Sequence, residues 1–225
     1  MVYIQQELER LKGETLSMWD LVISQLNRAG ESLMSLDKDM AREVLCREKR
    51  VNAYELMLDS DCEDIISLYK PVALDLRFTL STMKIGTNLE RIGDFCEGIA
   101  RFVLDYPEIH IEADLFERAG INEMVDIVKD MLCRTREAYE KESSALATTV
   151  FAMDVRVDEL NHEAAPIIAR HVQENPDRAL ECLNLISIIR RLERIGDHCN
   201  NIAEDVVFYI DAKVIKHAGN GENKS

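Results

Sequence analysis

Leu89-Glu90-Arg91-Ile92-Gly93-Asp94 returns letter for letter as Leu192-Glu193-Arg194-Ile195-Gly196-Asp197. The likeness runs on past the block, because Cys96, Ile99 and Ala100 find Cys199, Ile202 and Ala203 at the same offsets. An identical block followed by a matching spaced tail is what two copies of one helix show, so the chain is an internal duplication.

The rest of the 225 residues agrees with two similar halves. Nine Gly and four Pro leave little turn chemistry, while Leu, Ile, Ala, Glu, Asp and Arg supply helix formers. From Tyr3 to about Leu36, the residues Ile4, Leu8, Leu11, Trp19, Val22, Leu26 and Leu33 recur at three- and four-residue intervals and predict a first amphipathic helix. A second pattern spans about Lys38 to Leu68, and a third opens at Pro71 and reaches about Leu104. Helices of about thirty residues are roughly 45 Å long, so only antiparallel packing keeps a half compact. Tyr106-Pro107 and the stretch to Glu112 form a linker, and further helices are expected near 113–141, 144–174 and 177–212, with Pro166 a candidate kink. The fold class is all-α: two tandem three-helix bundles, six long antiparallel helices in all. Their bounds are 1–106 and 107–217, with a disordered polar tail over 218–225.

A net charge of −15 repels a phosphate backbone and excludes nucleic acid as a direct partner. The six cysteines are scattered without a C-x-x-C pair, which suits reduced thiols, and Cys96 and Cys199 fall on the apolar side of their helices as small hydrophobes. Neither a signal peptide nor an apolar run of membrane-spanning length is visible, so a cytoplasmic protein is expected, meeting a membrane only through a partner complex.

Glu90 and Asp94 stand one turn apart on their helix, about 40° apart in projection and roughly 6 Å along the axis, so their heads can converge on one cation. Ile92, Phe95, Cys96, Ile99, Phe102 and Val103 lie on the opposite side, which turns the acidic pair outward; Glu97 extends the row. Glu193, Asp197 and Glu204 make the matching row. Like charges at this spacing cost a helix roughly 0.2–0.5 kcal/mol, which a bound cation would offset. Asp154 and Asp158 offer a second pair on the preceding helix, and aligning Val51 with Val157 sets Glu48 opposite Asp154 and Asn52 opposite Asp158. Such oxygen-rich sets suit hard or borderline cations, with bridging carboxylates able to hold more than one. The alternative for any outward acidic row is a solvated face paired with Arg, such as Arg91 or Arg101. Glu159-x-x-His162 has the spacing of a di-iron ligand pair but occurs once, and His198 is turned toward the core. Nothing resembles a phosphate-cradling loop, a nucleophile elbow or a zinc-protease helix.

The doubled Leu-Glu-Arg-Ile-Gly-Asp block, preceded by Pro71-x-Ala73-x-Asp75-Leu76-Arg77, resembles the PhoU family of phosphate-uptake regulators along nearly the whole chain. The resemblance implies a non-enzymatic, cytoplasmic negative regulator acting when phosphate is plentiful. Its implied partners are the ATPase subunit of a phosphate ABC transporter and a sensor histidine kinase, and a homodimer is the family's expectation. It also implies surface clusters of iron, zinc or manganese on paired E/D-x-x-x-D motifs, matched here by Glu90 with Asp94, Glu193 with Asp197 and Asp154 with Asp158; Glu48 with Asn52 departs from the pattern. Two alternatives stay open: a carboxylate-bridged metal-dependent oxidase and a metal-free helical interaction module.

Overall fold

A computed structural model describes residues 2–105 and 113–215, and these form helices α1 (Val2–Ser35), α2 (Lys38–Asp64), α3 (Ala73–Asp105), α4 (Ala113–Arg118), α5 (Ile121–Glu140), α6 (Ser144–Glu174) and α7 (Ala179–Asp211). The expected linker, the domain boundary within it and the expected tail lie outside the described residues. No strand occurs among the described residues. Helices α1, α2 and α3 pack on one another, as do α5, α6 and α7, giving the tandem three-helix arrangement.

Local chemistry sets the helix ends. The Asp37 carboxylate accepts from the Asp39 and Met40 amides at 2.8 and 3.0 Å and caps α2, and Ser143 Oγ accepts from the Leu146 amide at 3.2 Å to cap α6. The stretch expected as one helix over 113–141 is instead broken into α4 and α5. Gly120 takes the left-handed φ of 69°, its amide closing on Glu117 O at 3.0 Å, and a Cβ there would sit 2.7 Å from Leu160 Cδ2. Pro71 precedes α3 rather than opening it: α2 ends in a π-helical turn over Ile65–Tyr69, followed by left-handed Lys70 and Ala73. Pro176 opens a 3₁₀ turn before α7, and α6 continues as one element through Pro166.

The halves meet along α3 against α7 and α1 against α5. Phe95 and His198, each one residue after the repeated Asp of its copy, stack on each other with ring centroids 5.7 Å apart. Asn88 contacts Asn201, while at the equivalent positions Arg191 crowds Gly98, so the two copies of the block face each other about a local two-fold. Along α1 and α5, Arg136 binds both oxygens of Asp20 at 2.6 and 3.1 Å, and fully buried Trp19 packs on Tyr139 at 5.4 Å. Phe78 from α3 and Tyr209 from α7 complete that aromatic cluster, so one continuous core runs through both halves.

Candidate metal centres

Each half carries its acidic row in the groove between its second and third long helices. The rows do not point to open solvent: the side chains of Glu90 and Glu193 are only 16% and 23% exposed, and those of Asp94 and Asp197 about 40%. The outward reading is corrected here. It measured each row against the core of its own helix, and α2 and α6 cover part of what that leaves as surface.

In the first groove Glu48 projects from α2 and is 4% exposed. Its Oε2 accepts from Gln25 Nε2 at 2.6 Å, while its Oε1 is buried without a partner. Burial pushes the Glu48 carboxyl up to about 7; the Gln25 hydrogen bond opposes this, and the charges of Asp94, Glu97 and Glu90 add to it. Glu55, on α2 one turn beyond Asn52, joins the same group: burial raises its carboxyl, as do Asp59 and Asp94. The sequence reading missed Glu55. Its signal was the two-turn spacing from Glu48, whereas Asn52, the position the alignment singled out, is exposed.

The second groove repeats the design with other supports. Asp154 from α6 accepts a hydrogen bond from Asn200 Nδ2 on its Oδ2, and its Oδ1 is buried and unpartnered. Burial pushes its carboxyl up to about 7, with Asp158, Asp197 and Glu193 adding to the effect. Glu193 is raised by burial and by Asp197 and Asp158, and Asp158 by burial and Asp197, so these four carboxylates form one coupled group across α6 and α7. Glu204, placed by its spacing in the same row, instead lines a cavity of about 210 Å³ with Lys84, Asp205 and Phe208.

The glycine of the repeated block explains how these carboxylates enter. A Cβ at Gly93 would lie 2.7 Å from Glu48 Oε2, and one at Gly196 would lie 2.8 Å from Asp154 Oδ1. In both copies the missing side chain is the space that the neighbouring helix's carboxylate occupies. The Arg of the block sits between its two acids, Arg91 at 3.7 Å from Glu90 and 3.3 Å from Asp94, and Arg194 at 3.8 Å from Glu193 and 3.4 Å from Asp197. These exposed pairs offset part of the row's charge, but Glu48 and Asp154 make no ion pair among the described residues.

The donor set is oxygen, which fits a hard or borderline cation, and the orphaned Glu48 Oε1 and Asp154 Oδ1 are acceptors such an ion would satisfy. Among the described residues no three Asp, Glu, His or Cys side chains already converge on one point, so holding an ion requires the carboxylates to turn toward each other. His162 is exposed in a groove with Asp158, Pro166 and Arg190, and Glu159 lies 3.2 Å from Arg156. His198 packs as expected: Nδ1 lies 2.8 Å from Asn88 Oδ1, and burial, Arg91 and Arg194 lower its pKa. Cys96 and Cys199 are buried free thiols that burial holds protonated.

Fold and grooves together define a class: all-α proteins of two tandem three-helix bundles, each with a carboxylate groove beside its repeated block. The PhoU domain model matches residues 15–103 and 121–206, and the chain belongs to the PhoU domain family. It is 30% identical over 219 residues to the phosphate-specific transport system accessory protein PhoU homolog of Pseudomonas aeruginosa, covering 95% of this chain and 87% of that one. It is 32% identical over 212 residues to the homolog of the same name from Aquifex aeolicus, covering 94% and 95%. The crystal structure of PhoU from Pseudomonas aeruginosa superposes with a TM-score of 0.89 at 30% identity, over 93% of this chain and 99% of that one. The regulatory protein PhoU from Streptococcus pneumoniae shares the fold with a TM-score of 0.84 at 24% identity, over 95% and 99%. Among the described residues no helix is long and apolar enough to cross a membrane.

Proposed function

We propose that this chain is a non-enzymatic, cytoplasmic regulator of phosphate uptake, a metal-binding adaptor between the ATPase subunit of a phosphate ABC transporter and a sensor histidine kinase. It restrains uptake and the starvation response when phosphate is plentiful, meets the membrane only through that complex, and works as a homodimer. The observation that carries this reading is the doubled groove, in which a repeated glycine admits a buried carboxylate with one orphaned oxygen. The names of its relatives supply the phosphate-transport context.

Glu48, Glu90, Asp94 and Glu97 would hold the first ion, and Asp154, Asp158, Glu193 and Asp197 the second, with iron, zinc and manganese the candidates. A bound cation supplies positive charge that relieves the repulsion between the rows and opens coordination positions to an anion or a partner's side chain. The protein's own residues do the positioning: Gln25 and Asn200 each donate to one oxygen of the inner carboxylate, and the other oxygen is left buried without a partner. The second groove carries Asp158 where the first has Asn52, and the first carries Glu55 one turn further on. A second reading, a metal-free interaction module, has in its favour the Arg91 and Arg194 ion pairs within the rows.

The regulatory reading is tested by deleting the gene and following a phosphate-starvation reporter in high phosphate. Derepression that the wild-type chain reverses supports it, and unaltered repression overturns it.

A further inference from the structure

The two hairpin tips of the duplicated fold differ in a way that the fold does not require. Between α6 and α7 the tip is polar, Glu174-Asn175-Pro176-Asp177, whereas the tip between α2 and α3 exposes Leu68, Tyr69, Val72 and Leu74 at 71%, 38%, 73% and 50%. The helices that follow are alike: Leu74 of α3 and Leu180 of α7 are each the second residue and exposed, and exposed Leu80 matches Leu183. The polar copy closes the same kind of hairpin, so Leu68, Tyr69 and Val72, the apolar side chains that the first tip adds, are not needed to make the turn.

That tip is also held in shape. Ile65 and Pro71 are buried beneath it, the Ser67 hydroxyl donates to Asp64 O at 3.2 Å, and Lys70 and Ala73 sit in the left-handed region at φ 48° and 50°. Non-glycine residues adopt that region at a cost, which the surrounding contacts must offset. A fixed apolar projection presents its side chains to a partner without an ordering penalty.

Its flank is acidic. From Val51 to Tyr69 there is no Lys or Arg, and Glu55, Asp59, Asp61, Glu63 and Asp64 lead up to the tip, whose exposed Lys70 offsets only one of these five charges. Arg10 binds Asp61, but Asp59, Glu63 and Asp64 have no ion pair among the described residues. Carboxylates at the C-terminal end of a helix also face the negative end of its dipole, so cations are what this collar lacks.

We propose that the α2–α3 tip, with Leu68, Val72 and Leu74 as anchors and Asp59, Glu63 and Asp64 as collar, docks a protein partner offering an apolar pocket rimmed by Lys or Arg. Charge selects that occupant over the others. An anionic bilayer carries the same sign as the collar, and a second copy meeting it tip to tip would set one acidic collar against another, so neither fits this tip.

The test places a photoreactive benzoylphenylalanine at Leu68, at Val72 or, on the opposite tip, at Glu174 of the full chain in cells, and maps the cross-linked peptides by mass spectrometry. The expected result is one protein cross-linked from 68 and 72 but not from 174, at an apolar surface bearing Lys or Arg. Charge reversal by Glu63→Lys with Asp64→Lys is expected to cut that cross-link tenfold or more while circular dichroism stays unchanged. Cross-links only to lipid or to another copy overturn the proposal, as does yield no higher than at 174 or yield unchanged by charge reversal. A cross-linked partner unrelated to phosphate transport would keep the tip and count against the regulatory reading instead.

Discussion

Gly93→Ala puts a methyl group where the inner carboxylate of the first groove crosses α3. In an ordinary helix interior the change stabilises by about 0.5–1 kcal/mol, because alanine gives up less backbone freedom on folding. Here the new Cβ would stand 2.7 Å from Glu48 Oε2 and 3.2 Å from both Gln25 Oε1 and Val51 Cγ1. Glu48 Oε2 must retreat by about 0.7 Å to reach an ordinary contact. That oxygen is the one held by Gln25 at 2.6 Å in a side chain only 4% exposed, so it has little room to move. Losing a hydrogen bond to a charged group costs about 1.5–3 kcal/mol, and overpacking about 1–3 kcal/mol. After the propensity gain, the expected net loss is about 1.5–5.5 kcal/mol. Gly196→Ala meets only Asp154 Oδ1 at 2.8 Å, with Val157 Cγ1 at an ordinary 3.6 Å, and Asp154 is less buried than Glu48. Its effect should stay within about 1 kcal/mol of wild type. Gly13→Ala, with nothing within 4 Å of the new Cβ, is the stabilising control. Urea unfolding followed by circular dichroism ranks the three variants. A Gly93→Ala protein as stable as Gly13→Ala, or less affected than Gly196→Ala, would refute the account of the glycine.

Three further outcomes are expected. In the metal-free protein Glu48 and Asp154, both pushed up to about 7 by burial, bind protons more tightly folded than unfolded, so stability is highest on the acid side and falls as pH rises from about 5 to 8. Urea midpoints across that range should show the decline, and Glu48→Gln with Asp154→Asn should flatten it. Trp19→Ala removes a fully buried ring from the core shared by both halves and should cost about 3–5 kcal/mol, with probes in the two halves losing structure together in thermal unfolding. Pro166→Ala restores an amide donor inside α6 at an exposed position and should raise stability by about 1–3 kcal/mol; an unchanged melting temperature would contradict that.

The helices were legible because their apolar residues keep one period for about thirty positions, and the duplication because the block kept its letters. The pairing of Glu48 with Asp154 was legible too, from the alignment of Val51 with Val157, the two valines that flank the glycines in space. What one helix alone cannot reveal is the neighbour lying over its outer face. That is why the rows were read as outward, and why Glu55 and the supporting Gln25 and Asn200 went unnoticed: their roles exist only where two helices meet. The break at Gly120 and the π-helical turn before Lys70 were hidden for a different reason. Gly120 sits within a stretch read as one helix, where a single left-handed residue changes direction without disturbing the apolar period; the end of α2 near Leu68 was legible, but not that its last turn is π-helical, since that changes only which backbone groups pair.

The claim on which the account turns is that the grooves hold metal. It is tested most directly by the metal content of the protein purified without chelators or affinity metals. Wild type is compared with a variant carrying Asp154→Ala, Asp158→Ala, Glu193→Ala and Asp197→Ala, which circular dichroism must show to be folded. The account predicts iron, zinc or manganese in wild type and loss of the second-groove ion from the variant. Metal-free wild type, or metal content untouched by the four substitutions, would contradict it.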